Sequence, residues 1–135
     1  MCLLAQTLHS RLLINHHVET DGSGNIEALV RDDIKQLARL PPGLLNEIPV
    51  ARLRARLAYL KGERETAIRV LRWCVQRMAD SDIRQEIEHD RYTLGLLVGG
   101  EEGRGLVASA REGLIGCGIS DPDANMRAYI PELLR

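Results

Sequence analysis

Glycine stands at positions 24, 62 and 100, one interval of 38 residues taken twice, and each precedes a stretch of helix-like sequence. A period of this size suits a two-helix unit repeated along the chain, each unit burying its apolar face against the next. The middle unit shows the pattern best. Ala51, Ala55 and Ala58 lead to Lys61-Gly62-Glu63, and Ala67, Ile68, Leu71 and Cys74 follow. Small residues let two antiparallel helices approach closely, and a glycine closes the turn between them.

Apolar periodicity places the remaining helices. Leu4, Leu8 and Leu12 recur at i+4 and predict a first helix over residues 2–18. Thr20-Asp21-Gly22-Ser23-Gly24-Asn25 reads as a loop. Ile26, Val30, Ile34 and Leu37 form a second stripe, stopped by Pro41-Pro42-Gly43 because proline cannot continue a helix. A third helix carries Leu44, Ile48, Ala51, Ala55 and Ala58, with Pro49 suggesting that it begins there. Ala67, Leu71, Cys74 and Met78 mark a fourth, and Ile83, Ile87, Leu94 and Val98 a fifth that stops at Gly99-Gly100. Leu106, Val107, Ala110 and Leu114 mark a sixth, closed by Gly116 and Gly118. Asp121-Pro122 is an N-cap followed by an N1 proline, which opens a short helix over 122–130. The expected fold is an all-α antiparallel helix-hairpin array of six to seven helices in one domain, 1–135. Its pairs span about 2–40, 44–80 and 83–117, and the last helix is a cap.

The chain has no Phe, one Trp and three Tyr, so Leu, Ile, Val and Ala must supply a core, which suits closely packed helices. No apolar run approaches the roughly 20 residues of a membrane span. No charged segment precedes Leu3, so a signal peptide is not expected, and a cytoplasmic location is. The cysteines at 2, 74 and 117 lack metal-ligand spacing and read as small, reduced core residues.

Ala55, Tyr59, Gly62, Ala67, Ile68 and Cys74 resemble the packing and turn positions of the tetratricopeptide repeat over residues 48–80. In the next unit Leu97, Gly100, Gly105 and Leu106 stand in the corresponding places, and the first unit aligns through Gly24 and Val30. The interval exceeds that family's usual length of about 34 residues. The segment from Tyr92 to Arg104, with Gly118-Ile-Ser-Asp-Pro122, Met126 and Ile130-Pro131, is also similar to the C-terminal region of large multidomain bacterial serine/threonine kinases and related ATPase regulators. That resemblance implies a tetratricopeptide-like scaffold of a signalling protein. No kinase His-Arg-Asp or Asp-Phe-Gly motif is present.

Candidate chemistry resolves mostly into surface. Gly99-Gly100-Glu101-Glu102-Gly103-Arg104-Gly105 lacks the Lys-Ser/Thr of a phosphate loop and puts carboxylates where phosphate would sit, so it reads as a helix–helix turn. His9, His16, His17 and His89 form no metal-binding pair at helical spacing. Of the acidic pairs, only Glu86 and Asp90 share a helix face. No catalytic set, metal or cofactor is expected, nor an enzyme.

Charge carries more information. Eight basic residues lie from Arg52 to Arg77, against Glu63 and Glu65 alone, and the balance reverses from Asp80 to Glu102. Pairs such as Glu65 with Arg69 account for part of it. Arg52, Arg56 and Tyr59 share one face, which by resemblance to tetratricopeptide repeats would line the concave groove. Asp90 occupies in its unit the place of Arg52. Arginine forks match carboxylates, so the expected site for a protein or peptide partner is Arg52, Arg56, Tyr59 and Asp90, between helices three and five. Trp73 is read as packing between repeats rather than as a contact anchor. The alternatives are a structural capping or dimerising segment, and nucleic-acid binding through Arg52–Arg77, which the acidic second half and a net charge of −1 oppose. Homo-oligomerisation is left open.

Overall fold

The computed structural model describes residues 3–19 and 25–134, with side chains from Leu8 to Val18 in the first helix. Seven helices follow in order among the described residues: α1 (Leu3–Glu19), α2 (Ile26–Ala38), α3 (Leu44–Leu60), α4 (Arg64–Met78), α5 (Arg84–Val98), α6 (Gly100–Gly116) and α7 (Pro122–Tyr129). Each packs against the next, α3 also touches α1, and the strongest pairings are α5 with α6 and α3 with α4. The chain is therefore an all-α array of helix hairpins. The loop expected at 20–25 lies outside the described residues apart from Asn25, whose side chain caps α2 by accepting from the Ala28 N–H.

The core follows the apolar stripes. Val30, Ile34 and Leu37 of α2 pack with Ile14 and Val18 of α1 and with Val50, Leu53 and Leu57 of α3. The small-residue face joins α3 to α4 and α5 through Ala55, Ala58, Ala67, Leu71 and Leu94. Cys74 and Met78 close a further cluster with Ile48, Ala51 and Ile87. Burying one such large side chain contributes about 1.5–3 kcal/mol. Cys74 is a core residue, and burial pushes its thiol up to about 12. Cys117 is exposed, contrary to the expectation of a core role, because it caps the solvent end of α6.

Three other expectations change. The Leu8 and Leu12 stripe of α1 faces outward, 50% and 58% exposed, while Ser10, Ile14 and Val18 face α2 and α3. α3 begins at Leu44 rather than at Pro49, and Asn46 in its first turn donates to the Leu37 and Leu40 carbonyls at the end of α2. That bond satisfies carbonyls a helix end would otherwise leave orphaned. The repeated glycines also do different work. Gly62, at φ +81°, donates its N–H to the Tyr59 carbonyl while Glu63 donates to that of Ala58. This is the six-to-one closure of a Schellman turn, and Gly118 repeats it after α6. Gly100, at φ +61°, instead opens α6, with Gly99 alone between α5 and α6.

Such a short connection forces α5 and α6 together, and they cross at glycine. A Cβ placed on Gly95 would lie 2.7 Å from the Gly103 carbonyl oxygen and 2.8 Å from Val107 Cγ2. No other residue fits there. At the far end, the Asp121 side chain accepts from the Ala124 N–H and Pro122 opens α7. Met126 and Ile130 then bury against Tyr92, Ala110 and Leu114.

Candidate functional site

α1, α3 and α5 present one side of the array, and a groove runs along it with a cavity of about 340 Å³. Arg52, Arg56, Tyr59 and Asp90 all line it, so the structure brings the four sequence-derived residues together. Leu44, Ile48, Pro49 and Ile83 add apolar side chains to its lining.

The arginines in this groove are not free. Arg52 donates from Nε to Asp90 Oδ1 at 2.8 Å and from Nη2 to Asp90 Oδ2 at 3.0 Å, a two-pronged fork across a separation of 38 residues. Its Nη1 reaches Glu86 Oε2 at 2.5 Å, and Nη2 also donates to the Glu86 carbonyl. The positions expected to be equivalent in consecutive units are thus bonded to each other. The Asp90 side chain is 2% exposed and that of Arg52 15%. Burial opposes the charge of Arg52, and the surrounding Tyr129, Asp90 and Glu86 outweigh it, so its guanidinium stays protonated. Burial pushes the Asp90 carboxyl up, to about 6, against the pull of Arg52.

Arg56 is engaged from elsewhere. Its Nε and Nη2 donate to Glu132 Oε1 and Oε2 at 2.5 and 2.7 Å, and Nη2 also donates to Asn15 Oδ1 at 2.7 Å. Glu132 lies in the segment after α7, and its side chain is 3% exposed. The segment from Tyr129 to Leu133 therefore lies in the groove. The guanidinium of Arg11 stacks over the Tyr129 ring at 4.2 Å, and Asn15 donates to the Ala128 carbonyl at 3.2 Å. Leu133 packs on the small-residue cluster of α3 and α4, beside half-buried Tyr59.

α7 holds that segment in position. The Tyr92 hydroxyl donates to Asp123 at 2.5 Å, and Arg111 Nε donates to the same oxygen at 2.8 Å. His89 Nε2 lies 2.8 Å from Asn125 Oδ1 and its ring 4.4 Å from that of Tyr129. An amide oxygen only accepts, so Nε2 carries the proton and buried Nδ1, which has no hydrogen-bond partner among the described residues, is bare. Burial accordingly lowers the pKa of His89 despite the Asn125 bond.

Glu132, Asn15, Tyr129 and Arg11 are the groove residues that sequence reasoning missed. Glu132 follows a proline outside any periodic helix, and its link to Arg56 spans 76 residues. The only available signal was a lone carboxylate among Ile130, Pro131, Leu133 and Leu134.

Most of the Arg52–Arg77 basic run is likewise bonded within the fold. The six basic residues Arg52, Arg56, Lys61, Arg64, Arg72 and Arg77 bond to Asp90, Glu132, Glu27, the Leu97 carbonyl, Glu102 and Glu47 respectively. Arg54 and Arg69 are exposed. The Glu65–Arg69 pair expected from the helical spacing is not found among the described residues, where both are exposed. Trp73 is 42% exposed rather than packed between repeats, because Leu71 and Cys74 already fill the inward face of α4. Among the described residues no helix is long and apolar enough to cross a membrane. Comparison of the chain with protein-family models, with curated proteins and with solved structures finds no match.

Proposed function

We propose that this chain is a protein-interaction module without catalytic function, which takes a carboxylate-bearing peptide segment in the groove of α1, α3 and α5. One observation carries the reading: residues 129–133 already lie there in ligand fashion, with the Glu132 carboxylate in the Arg56 fork and an aromatic ring under Arg11. A partner segment would present the same chemistry, a carboxylate flanked by apolar side chains, and would exchange with the chain's own. The tetratricopeptide-like pattern and the likeness to bacterial kinase C-terminal regions fit a scaffold in a cytoplasmic signalling assembly.

The near-complete burial of Glu132 also favours a second reading, in which residues 129–133 are a structural cap that never leaves. Nucleic-acid binding through Arg52–Arg77 has little support, since six of those eight cations are bonded within the fold. A fluorescent peptide of residues 126–134 added to the full chain separates the first two readings. It should bind a Glu132→Lys chain, whose own segment is weakened, more tightly than wild type, and should not bind an Arg56→Glu chain. Absence of binding to Glu132→Lys would leave the segment as a cap and overturn the groove reading.

A further inference from the structure

A second cavity, of about 530 Å³, lies between the end of α2, the outer side of α3 and α4. Its size falls within the roughly 300–1,000 Å³ of ordinary ligand pockets. Trp73 and Leu40, 42% and 40% exposed, stand at its walls together with Pro42. Arg54 and Arg69 line it as well. These are the two members of the Arg52–Arg77 basic run for which no hydrogen bond or ion pair is found among the described residues. The two cations that the fold leaves over thus converge with the chain's single tryptophan. Glu47, the acidic residue of the lining, is engaged by Arg77 at 3.3 Å.

We infer that this pocket is a docking site for an acidic peptide that carries one bulky apolar anchor. An exposed indole beside aliphatic side chains offers the anchor a dry wall, and Trp and Arg are the residue types that dominate binding energy at interfaces. Arg54 and Arg69 supply the complement to carboxylates on either side of the anchor, and the internal pairs elsewhere on α3 and α4 leave no competing acid free in the pocket. The site is independent of the groove, since Arg54 projects from α3 away from Arg52 and Arg56.

Because Trp73 is the only tryptophan, its fluorescence reports this pocket alone. The probes are the peptides Glu-Glu-Asp-Xaa-Asp-Glu-Glu with Xaa as Leu, Ile or Phe, a Ser version as control, and a uridine octamer. At least one apolar-anchor peptide should give a saturable blue shift of Trp73 emission, and the Ser peptide none. The Arg54→Glu/Arg69→Glu chain should bind at least about tenfold more weakly, a loss of about 1.4 kcal/mol, whereas Arg104→Glu, at an exposed residue of α6 outside the pocket, should leave the affinity unchanged. Both replaced arginines are exposed, so circular dichroism should show the double variant folded. No saturable shift with any anchor, equal binding by the charge-reversed chain, or tighter binding of the uridine octamer would each overturn the assignment.

Discussion

Replacing Gly103 by alanine pits two well-measured effects against each other at one atom. In an open helix position alanine is favoured over glycine by about 1 kcal/mol, because glycine loses more backbone freedom on folding. At Gly103 the new methyl would meet the Gly95 carbonyl, and the reciprocal methyl on Gly95 would meet the Gly103 oxygen at 2.7 Å. Both obstacles are backbone atoms, so no side-chain rotation relieves them and α5 must shift from α6. Overpacking of this kind costs about 1–3 kcal/mol, and the backbone clash puts Gly103 at the upper end. Set against the propensity gain, the net loss is about 2 kcal/mol. Gly105, two residues along the same helix, has nothing within 4 Å of the point a methyl would take, so Gly105→Ala should stabilise by up to ~1 kcal/mol. Urea unfolding followed by circular dichroism measures both, and the two variants should differ by about 3 kcal/mol with opposite signs relative to wild type. A Gly103→Ala chain as stable as Gly105→Ala would refute the close crossing of α5 and α6.

Asp90→Ala should cost about 3–5 kcal/mol by stranding the buried Arg52 charge, while Glu86→Ala, at a side chain 38% exposed, should cost under about 1 kcal/mol. Near-equal costs in chemical denaturation would contradict the fork as the main contact. For His89 the folded pKa lies below the unfolded value, so between the two the unfolded chain binds more protons and stability is lost as pH falls below about 6.5. The difference in unfolding free energy between wild type and His89→Phe isolates the histidine; it should shrink from pH 7 to pH 5, and a flat difference would mean that His89 is not held neutral.

Periodicity reached the inward faces because burial imposes it. Ala67, Leu71, Cys74 and Met78 were legible as one stripe, and all four are buried. It failed at α1, where Leu8 and Leu12 repeat at helical spacing yet face solvent, because a period identifies a face without saying which neighbour covers it. The candidate site was legible to the same depth. Helical spacing put Arg52, Arg56 and Tyr59 on one line, and the 38-residue interval matched Arg52 with Asp90. That the match is a bond could not be read from the sequence, since spacing within α3 carries no information about what stands opposite. Glu132 lies in a segment with no period at all, and Trp73 was misplaced because its two neighbours already supply the stripe.

The bond from Asn15 to Ala128 spans 113 residues, in an architecture where helices otherwise touch only near neighbours. A linear stack of hairpins unravels from its ends, each unit held by one interface, and its melting broadens as units separate. Residues 129–133 join α1 and α3 to the far end of the stack, which turns the line into a ring of contacts. The folded helices between them have already met the entropy of bringing these distant points together, so closing the ring orders only a few residues. Loss of this clasp should therefore appear less in total stability than in cooperativity: a shallower denaturant slope, with the first hairpin exchanging its amide protons ahead of the rest.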